Sequence, residues 1–420
     1  MAGSRRDAGP QALARAHITA MTTAMNTAMK RVLSIATLYP NAHMPRFGTF
    51  VARQMEALAA RGDWDVTLIN PIGVPPLALG RYKALATAAV SGDEGGVHVH
   101  RPRFTLLPKI GGPFNPAMIA KAVLPMARAM HSAQPFDLVD AQFFYPDGPA
   151  AARIATELGL PLSIKARGAD ISFWGHKPYA QSKMIAAAQQ AAGLLSVSAA
   201  LADDMAAIGL PRDKITMHYT GLDHALFRPI DRVDARRRLA RDLGVEMRDE
   251  ERLIASVGAL IPRKGQSFAI RALHTLPDTH LVLVGMGSDR AGLEELAVEL
   301  GLQGRVHFLG SLDHAALPIV LSAAQALVLP SASEGLANAW VEALACGCPL
   351  VITDAGGARE VVTAPQAGRI VERDADAIAE GLREVVAAEY APQDVAAMAT
   401  RFSWQNNAEA LAAYYHQLIG

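Results

Sequence analysis

Short apolar runs alternate with helical patterns along almost the whole chain, and that alternation builds a parallel sheet. The first series runs through Val32–Leu38, Val66–Ile69, Val97–Val99, Leu138–Ala141, Leu162–Lys165 and Gly193–Val197. Helical patterns such as Thr49–Arg61, Pro149–Leu158 and Lys183–Gln190 separate these runs. A second series follows: Leu253–Val257, Leu281–Val284, Val306–Leu309, Ala326–Leu329, Pro349–Ile352 and Gly368–Val371. Parallel neighbours need crossovers, which puts helices on both faces of each sheet. Between the two series, Tyr219–Pro229 is rich in turn residues and fits a linker. At 420 residues, 51% of them apolar, the chain exceeds one ordinary core. The expected fold is α/β, with two Rossmann-like doubly wound domains, residues 29–218 and 230–400, facing across a cleft. Ligands of such sheets bind beyond the carboxyl ends of the strands, so the cleft is the expected site.

Composition removes several functions. Forty basic residues balance forty acidic ones, so no global field recruits nucleic acid. The two cysteines, Cys346 and Cys348, have no histidine near them in sequence, which argues against a zinc site or a disulfide framework and for packing in a reducing compartment. No apolar run reaches the length of about 18 residues that crosses a bilayer. Residues 1–28 carry repeated Met and Thr, an Arg pair and no core pattern, and read as a disordered leader or an upstream start.

The densest chemistry lies in Ser331–Gly347. Ala326–Pro330 reads as a buried strand, and Leu336, Trp340, Val341 and Leu344 follow helical spacing until Gly347 stops them. Glu334 then sits in the loop and Glu342 on the helix. Eight helical residues rise about 12 Å, so the pair could grip the two ends of one nucleotide-sugar, with free backbone N–H groups facing its diphosphate. A helix-terminal carboxylate beside a solvated one would look the same in isolation. Gly258 to Gly265 follows the second domain's first strand and includes Arg263 and Lys264, two cations placed to offset charge on a departing diphosphate, or else two solvated loop charges. Gly285-Met286-Gly287 follows another strand, where a tight turn is explanation enough. Asp354-Ala355-Gly356-Gly357 is a further glycine-rich turn.

With their order and spacing, these segments resemble the donor domain of the retaining nucleotide-sugar glycosyltransferases of family 4, which have the GT-B fold. The likeness rests on Lys264-Gly265, Gly285 to Gly287, Arg305 to Gly310, Pro330 to Gly347 and Asp354 to Glu360, over more than a hundred residues. Tyr219 to Pro229 resembles the family's linker, and Phe402-Ser403-Trp404 resembles a C-terminal helix, here 401–420, that returns to the first domain. The resemblance implies that Glu342 accepts from the ribose, that Glu334 holds the sugar hydroxyls and that Lys264 stabilises the leaving group. It also implies that N–H groups of Gly335, Leu336, Ala337 and Asn338 meet the diphosphate or sugar, with Gly258 and Gly285 on the donor side. Gly48, opening the first long helix, would let its backbone approach the sugar phosphate.

Two departures matter. Where the family carries an arginine after the first glycine, this chain has Ala259, and Arg263 is the candidate replacement. The family's His-Gly-x-Asp loop reads Arg167-Gly168-Ala169-Asp170 here, on the acceptor or sugar side. Arg167 could hold a phosphate or an acidic sugar bidentately, or form an ion pair with Asp170.

No metal and no cofactor is expected, the nucleotide-sugar being the donor substrate. Asp374-Ala375-Asp376 spells a D-x-D, but it precedes a helical pattern, where aspartates cap. Pro71–Arg81 and Arg103–Lys109 mix apolar residues with cations, as a lipid-touching surface would, and as loops packed under the domain also would. The expected protein is a cytoplasmic glycosyltransferase, with room for peripheral contact at the inner face of the membrane, moving sugar to a saccharide or lipid-linked acceptor for surface polysaccharide or glycoconjugate synthesis. A sugar-nucleotide 2-epimerase of the same fold and a catalytically silent partner subunit are the alternatives.

Overall fold

A computed structural model describes residues 29–420; the leader reading of residues 1–28 lies outside it. Two sheets organise the chain. The first runs, edge to edge, Ile215–Met217, Gly193–Ser196, Leu162–Lys165, Leu138–Ala141, Lys30–Ile35, Trp64–Ile69 and Val97–His100, all parallel, and ends on antiparallel Gly92–Glu94. The second has six parallel strands in the order Val306–Gly310, Thr279–Val284, Arg252–Val257, Ala326–Leu329, Leu350–Thr353 and Gly368–Val371. Every residue of Leu138–Ala141, Thr279–Val284 and Ala326–Leu329 is buried, because helices cover both faces, and this is why they read as apolar runs, broken only by Asp140 and by Thr279-His280.

The order of each sheet reverses beside its first strand. Lys30–Ile35 lies between strands that come later on either side, and so does Arg252–Val257. Loops leaving those strands therefore open at a crevice, 36–48 in the first domain and 258–265 with 330–337 in the second. The first strand ends at Ile35 rather than Leu38, because the Thr37 amide turns away to Asp147 Oδ2 at 2.9 Å.

Four three-residue strands escaped the sequence pattern, Gly92–Glu94 and Ile215–Met217 at the edges of the first sheet and two more beside it. Ile72–Val74 and Arg103–Thr105, inside the segments read as loops, pair in parallel as a separate two-stranded sheet. Three-residue strands, one with Gly73 at its centre, carry too little periodicity to be seen.

Asp374 caps the helix Ala375–Ala387, its side chain accepting from the Asp376 and Ala377 amides. The last helix, Trp404–Ile419, packs on the first domain's Thr49–Ala60 helix, and Tyr415 meets the Trp64 ring edge-on at 5.3 Å. Among the described residues, no helix is long and apolar enough to cross a membrane.

Candidate active site

A cavity of about 300 Å³ lies between the domains, lined by Phe50, Arg167, Val197 and Thr220 from one side and by Gly258, Lys264, Glu334 and Leu336 to Ala339 from the other. Lys264 Nζ donates to Glu334 Oε1, and both side chains are largely buried, at 13% and 8% exposure. Neither charge is left to solvent, so the pair holds Glu334 in place at the cavity wall.

Arg263 behaves differently. Its guanidinium lies 3.5 Å from Glu334 Oε2, donates to the Ser333 carbonyl and is 41% exposed. It is absent from the cavity wall, so it does not take the place of the arginine that Ala259 replaces. Arg263 therefore braces the loop that carries Glu334.

The helix begins at Asn338, not directly after Gly335, so helical rise covers only Asn338 to Glu342 and the loop sets the separation of the two carboxylates. Its N-cap, Ala337, has no side chain able to cap. The first N–H groups of that helix are left to whatever enters the cavity beside Asn338 and Ala339.

Glu342 is buried, and burial pushes its carboxyl up to about 7. His314 Nε2 stands 3.9 Å from Oε1. That contact would be an ion pair only with a charged imidazole, but burial, followed by Arg53 and Arg46, lowers the His314 pKa. Glu342 is thus a desolvated carboxyl without a charged partner among the described residues, the condition of a group awaiting donors. Sequence spacing found Glu342 but gave no sign of His314, which a separate turn brings in.

On the facing wall, Arg167 Nε donates to the Gln142 carbonyl at 2.8 Å, Nη2 contacts the Gln142 and Gln54 amide oxygens, and the guanidinium lies over Phe50 at 4.9 Å. Burial draws its pKa down to about 10. The edge needed for bidentate recognition is already occupied, leaving Nη1 without a hydrogen bond among the described residues. The side-chain ion pair with Asp170 is not formed either. Asp170 accepts from the backbone amides of Arg167, Gly168 and Phe144, at 2.8 to 3.2 Å, and so fixes the loop rather than facing a ligand. Beneath this wall, fully buried Lys165 donates to Gln54 Oε1 at 2.8 Å and meets His218 Nδ1, while His218 Nε2 bonds the Asn407 carbonyl at 2.8 Å. Burial lowers both pKa values, and the line of contacts ties the last helix to the cavity wall.

Three glycines serve close packing. Gly168, at φ 126°, faces Gly335 across the cleft. Gly285 is needed because a Cβ there would lie 1.9 Å from the Gly258 carbonyl oxygen, so it shapes the Gly258 turn and is not part of the cavity wall. At Gly48, φ 72°, a Cβ would lie 2.5 Å from the Leu38 carbonyl, so the close approach there is to Leu38. Across the rim, Arg46 reaches Ser311 Oγ at 2.6 Å and Asp313, and Glu360 accepts the Ala199 amide at 2.7 Å.

Two Rossmann-like domains facing across this cavity define the GT-B fold. Residues 47–221 match the family described as glycosyl transferase 4-like domain, and residues 244–410 match glycosyl transferases group 1. The D-inositol 3-phosphate glycosyltransferase of Mycobacterium marinum is 36% identical over 219 residues, which cover 49% of this chain and 46% of that protein. The Mycobacterium tuberculosis protein of the same name is 36% identical over 49% of this chain and 44% of its own. This chain therefore spans about half the length of the curated relatives it matches. Among solved structures, sucrose-phosphate synthase from Thermosynechococcus elongatus superposes with a TM-score of 0.75 at 20% identity, over 93% of this chain and 99% of that one. HepE of Anabaena in complex with UDP superposes at 0.69 and 22% identity, over 93% and 100%. At those identities the likeness is one of fold.

Proposed function

We propose that this chain is a retaining, metal-independent glycosyltransferase of family 4 that moves a sugar from a nucleotide-diphosphate sugar to a saccharide or lipid-linked saccharide, in surface polysaccharide or glycoconjugate synthesis in the cytoplasm. The observation that carries the reading is the contrast between two carboxylates, one before and one within the uncapped helix Asn338–Ala345: Glu334 is held by Lys264, and Glu342 is buried with no charged partner among the described residues. Glu342 takes the ribose hydroxyls, whose donated hydrogen bonds replace the water it lacks. Glu334 orients the sugar ring. Lys264 and the N–H groups of Gly335 to Asn338 face the diphosphate, and Gly258 leaves room for it.

The lining of the cavity supports the retaining reading over the inverting one. The first domain contributes no carboxylate to it, and the nearby Asp170 has its oxygens engaged by amides. With no carboxylate there to act as nucleophile or to deprotonate an acceptor attacking from the far side, the acceptor oxygen bonds to the anomeric carbon on the face the diphosphate leaves, and the acceptor's proton passes to the departing phosphate oxygen. HepE complexes with UDP and with UDP-glucose support a nucleotide-sugar as the donor class.

A thermal-shift screen of nucleoside diphosphates and nucleotide-sugars tests the reading, since a ligand at a hundred times its Kd stabilises by about 2.7 kcal/mol. The expected result is a shift with one nucleotide-sugar and sugar transfer only when acceptor is present. Isomerised donor formed without acceptor would favour the epimerase, and no shift with any nucleotide would leave the silent subunit.

A further inference from the structure

The balance of forty cations and forty acids conceals an uneven distribution. Residues 66–92, 95–136 and 171–202, all in the first domain, hold nine Lys or Arg and not one Asp or Glu. Acids outside these stretches pair with two of the nine, Arg101 with Glu94 and Arg128 with Glu157. Lys83, Arg103, Lys109 and Lys177 form no ion pair with any described residue. Of the twelve large apolar side chains that stand exposed among the described residues, seven lie in the same stretches. Leu77, Leu79, Ile110, Phe114 and Phe173 are each more than half exposed.

The fold gathers these side chains on one face. Ile72–Val74 and Arg103–Thr105 run parallel, so the loops that follow them leave from the same end, and the Leu106 amide, bonded to the Val74 carbonyl at 3.0 Å, keeps them together. The second loop continues to Gly112, whose carbonyl accepts the Tyr145 hydroxyl at 2.6 Å. Tyr145 packs on Trp174 at 5.1 Å and Trp174 on Phe173 at 5.1 Å, while Lys177 Nζ lies 4.4 Å above the Phe173 ring. Leu77, Ile110 and Phe173 thus belong to one continuous surface with amines among them.

We infer that this surface docks on an anionic phospholipid bilayer, its apolar tips entering the headgroup region and its amines meeting lipid phosphates. Its charge argues against a second copy of the chain. A two-fold contact would set Lys83, Lys109 and Lys177, which form no ion pair among the described residues, against their own copies. The turn Asp170–Trp174 links the surface to the cavity, since Asp170 fixes Arg167 and Gly168 at one end and Phe173 stands exposed at the other. Resting on the transferase reading, the acceptor side of the cavity then opens beside the bilayer, and the acceptor is lipid-borne.

Flotation of the full chain with phosphatidylcholine vesicles, with and without phosphatidylglycerol, tests the surface. Binding is expected only with the anionic lipid and should weaken as salt rises. Each cation near such a surface multiplies affinity about fivefold, so Lys109→Glu with Lys177→Glu should lower binding at least about 25-fold. Leu77→Ser with Ile110→Ser should lower it as well, while calorimetric nucleotide binding stays unchanged in both double variants and certifies the fold. Equal binding to neutral vesicles, no binding at all, or undiminished binding by both variants would overturn the proposal. So would a wild-type dimer in sedimentation that the same variants dissociate. Vesicle binding by a chain that transfers no sugar would keep the surface and remove only the claim about the acceptor.

Discussion

Gly168 and Gly335 meet backbone to backbone across the cleft: a Cβ on Gly168 would lie 3.2 Å from the Gly335 amide nitrogen. In the other direction, a Cβ on Gly335 would lie 2.7 Å from the Arg167 carbonyl oxygen. Gly335→Ala should therefore hold the domains apart while each folds normally. Misplacement on the order of 1 Å can cost about 10²-fold in rate, so kcat/KM should fall by about that factor. Small-angle scattering should show a wider molecule with donor bound, and wild-type kinetics in this variant would disprove the closure argument.

Glu342 makes the empty protein sensitive to pH. Its carboxyl titrates near 7 when folded against about 4.5 when exposed, so the folded state holds the proton more tightly. Stability from that proton is fully present below about pH 4.5 and is lost as pH rises through 7, a change of roughly 3 kcal/mol. Glu342→Gln should raise the Tm of the empty protein above pH 7 and leave it unchanged in acid. The same variant should bind nucleotide-sugar more weakly, by about 1.5–3 kcal/mol for each charged hydrogen bond lost. Unchanged affinity in calorimetry would refute the ribose assignment.

Lys264 and Arg263 separate a leaving-group role from a bracing role. Lys264→Ala should lower turnover on the order of 10²-fold or more, as expected when one preorganised donor is removed. Arg263→Ala should have a smaller effect, because its guanidinium is exposed and turned to Ser333. A loss in Arg263→Ala equal to that in Lys264→Ala would mean that it compensates directly for Ala259.

Chelation provides a further test. Where Lys264 and an uncapped helix end face the diphosphate, the protein supplies the positive charge that a divalent ion would otherwise bring. Activity should persist in excess chelator, and loss restored by magnesium would contradict the proposed mechanism.

What the sequence disclosed follows the range of each signal. Strands buried on both faces, such as Ala326–Leu329, appear as plain apolar runs, and the Glu334–Glu342 spacing lies within one local segment. Phe50 and Thr220 reach the cavity, and His314 reaches Glu342, only through tertiary folding, and no local pattern marks them. Lys165 ends the strand Leu162–Lys165, and its partners Gln54 and His218 come from 111 and 53 residues away. The Arg167 loop was visible as a departure from the resemblance. Its use was not, because Gln142, which occupies its guanidinium, comes from the end of another strand.

The placement of Trp404–Ile419 imposes an order on how the chain is made. Leu411, Ala412, Tyr414 and Tyr415 complete a buried cluster with Val51, Met55 and Trp64, so the first domain to leave the ribosome is the last to close its core. While the second domain is being synthesised, the Trp64 face stays open, an aggregation hazard of the kind that recruits chaperones. Emergence of Trp404–Ile419, rather than emergence of the first domain, is the moment at which that half of the molecule can close its core.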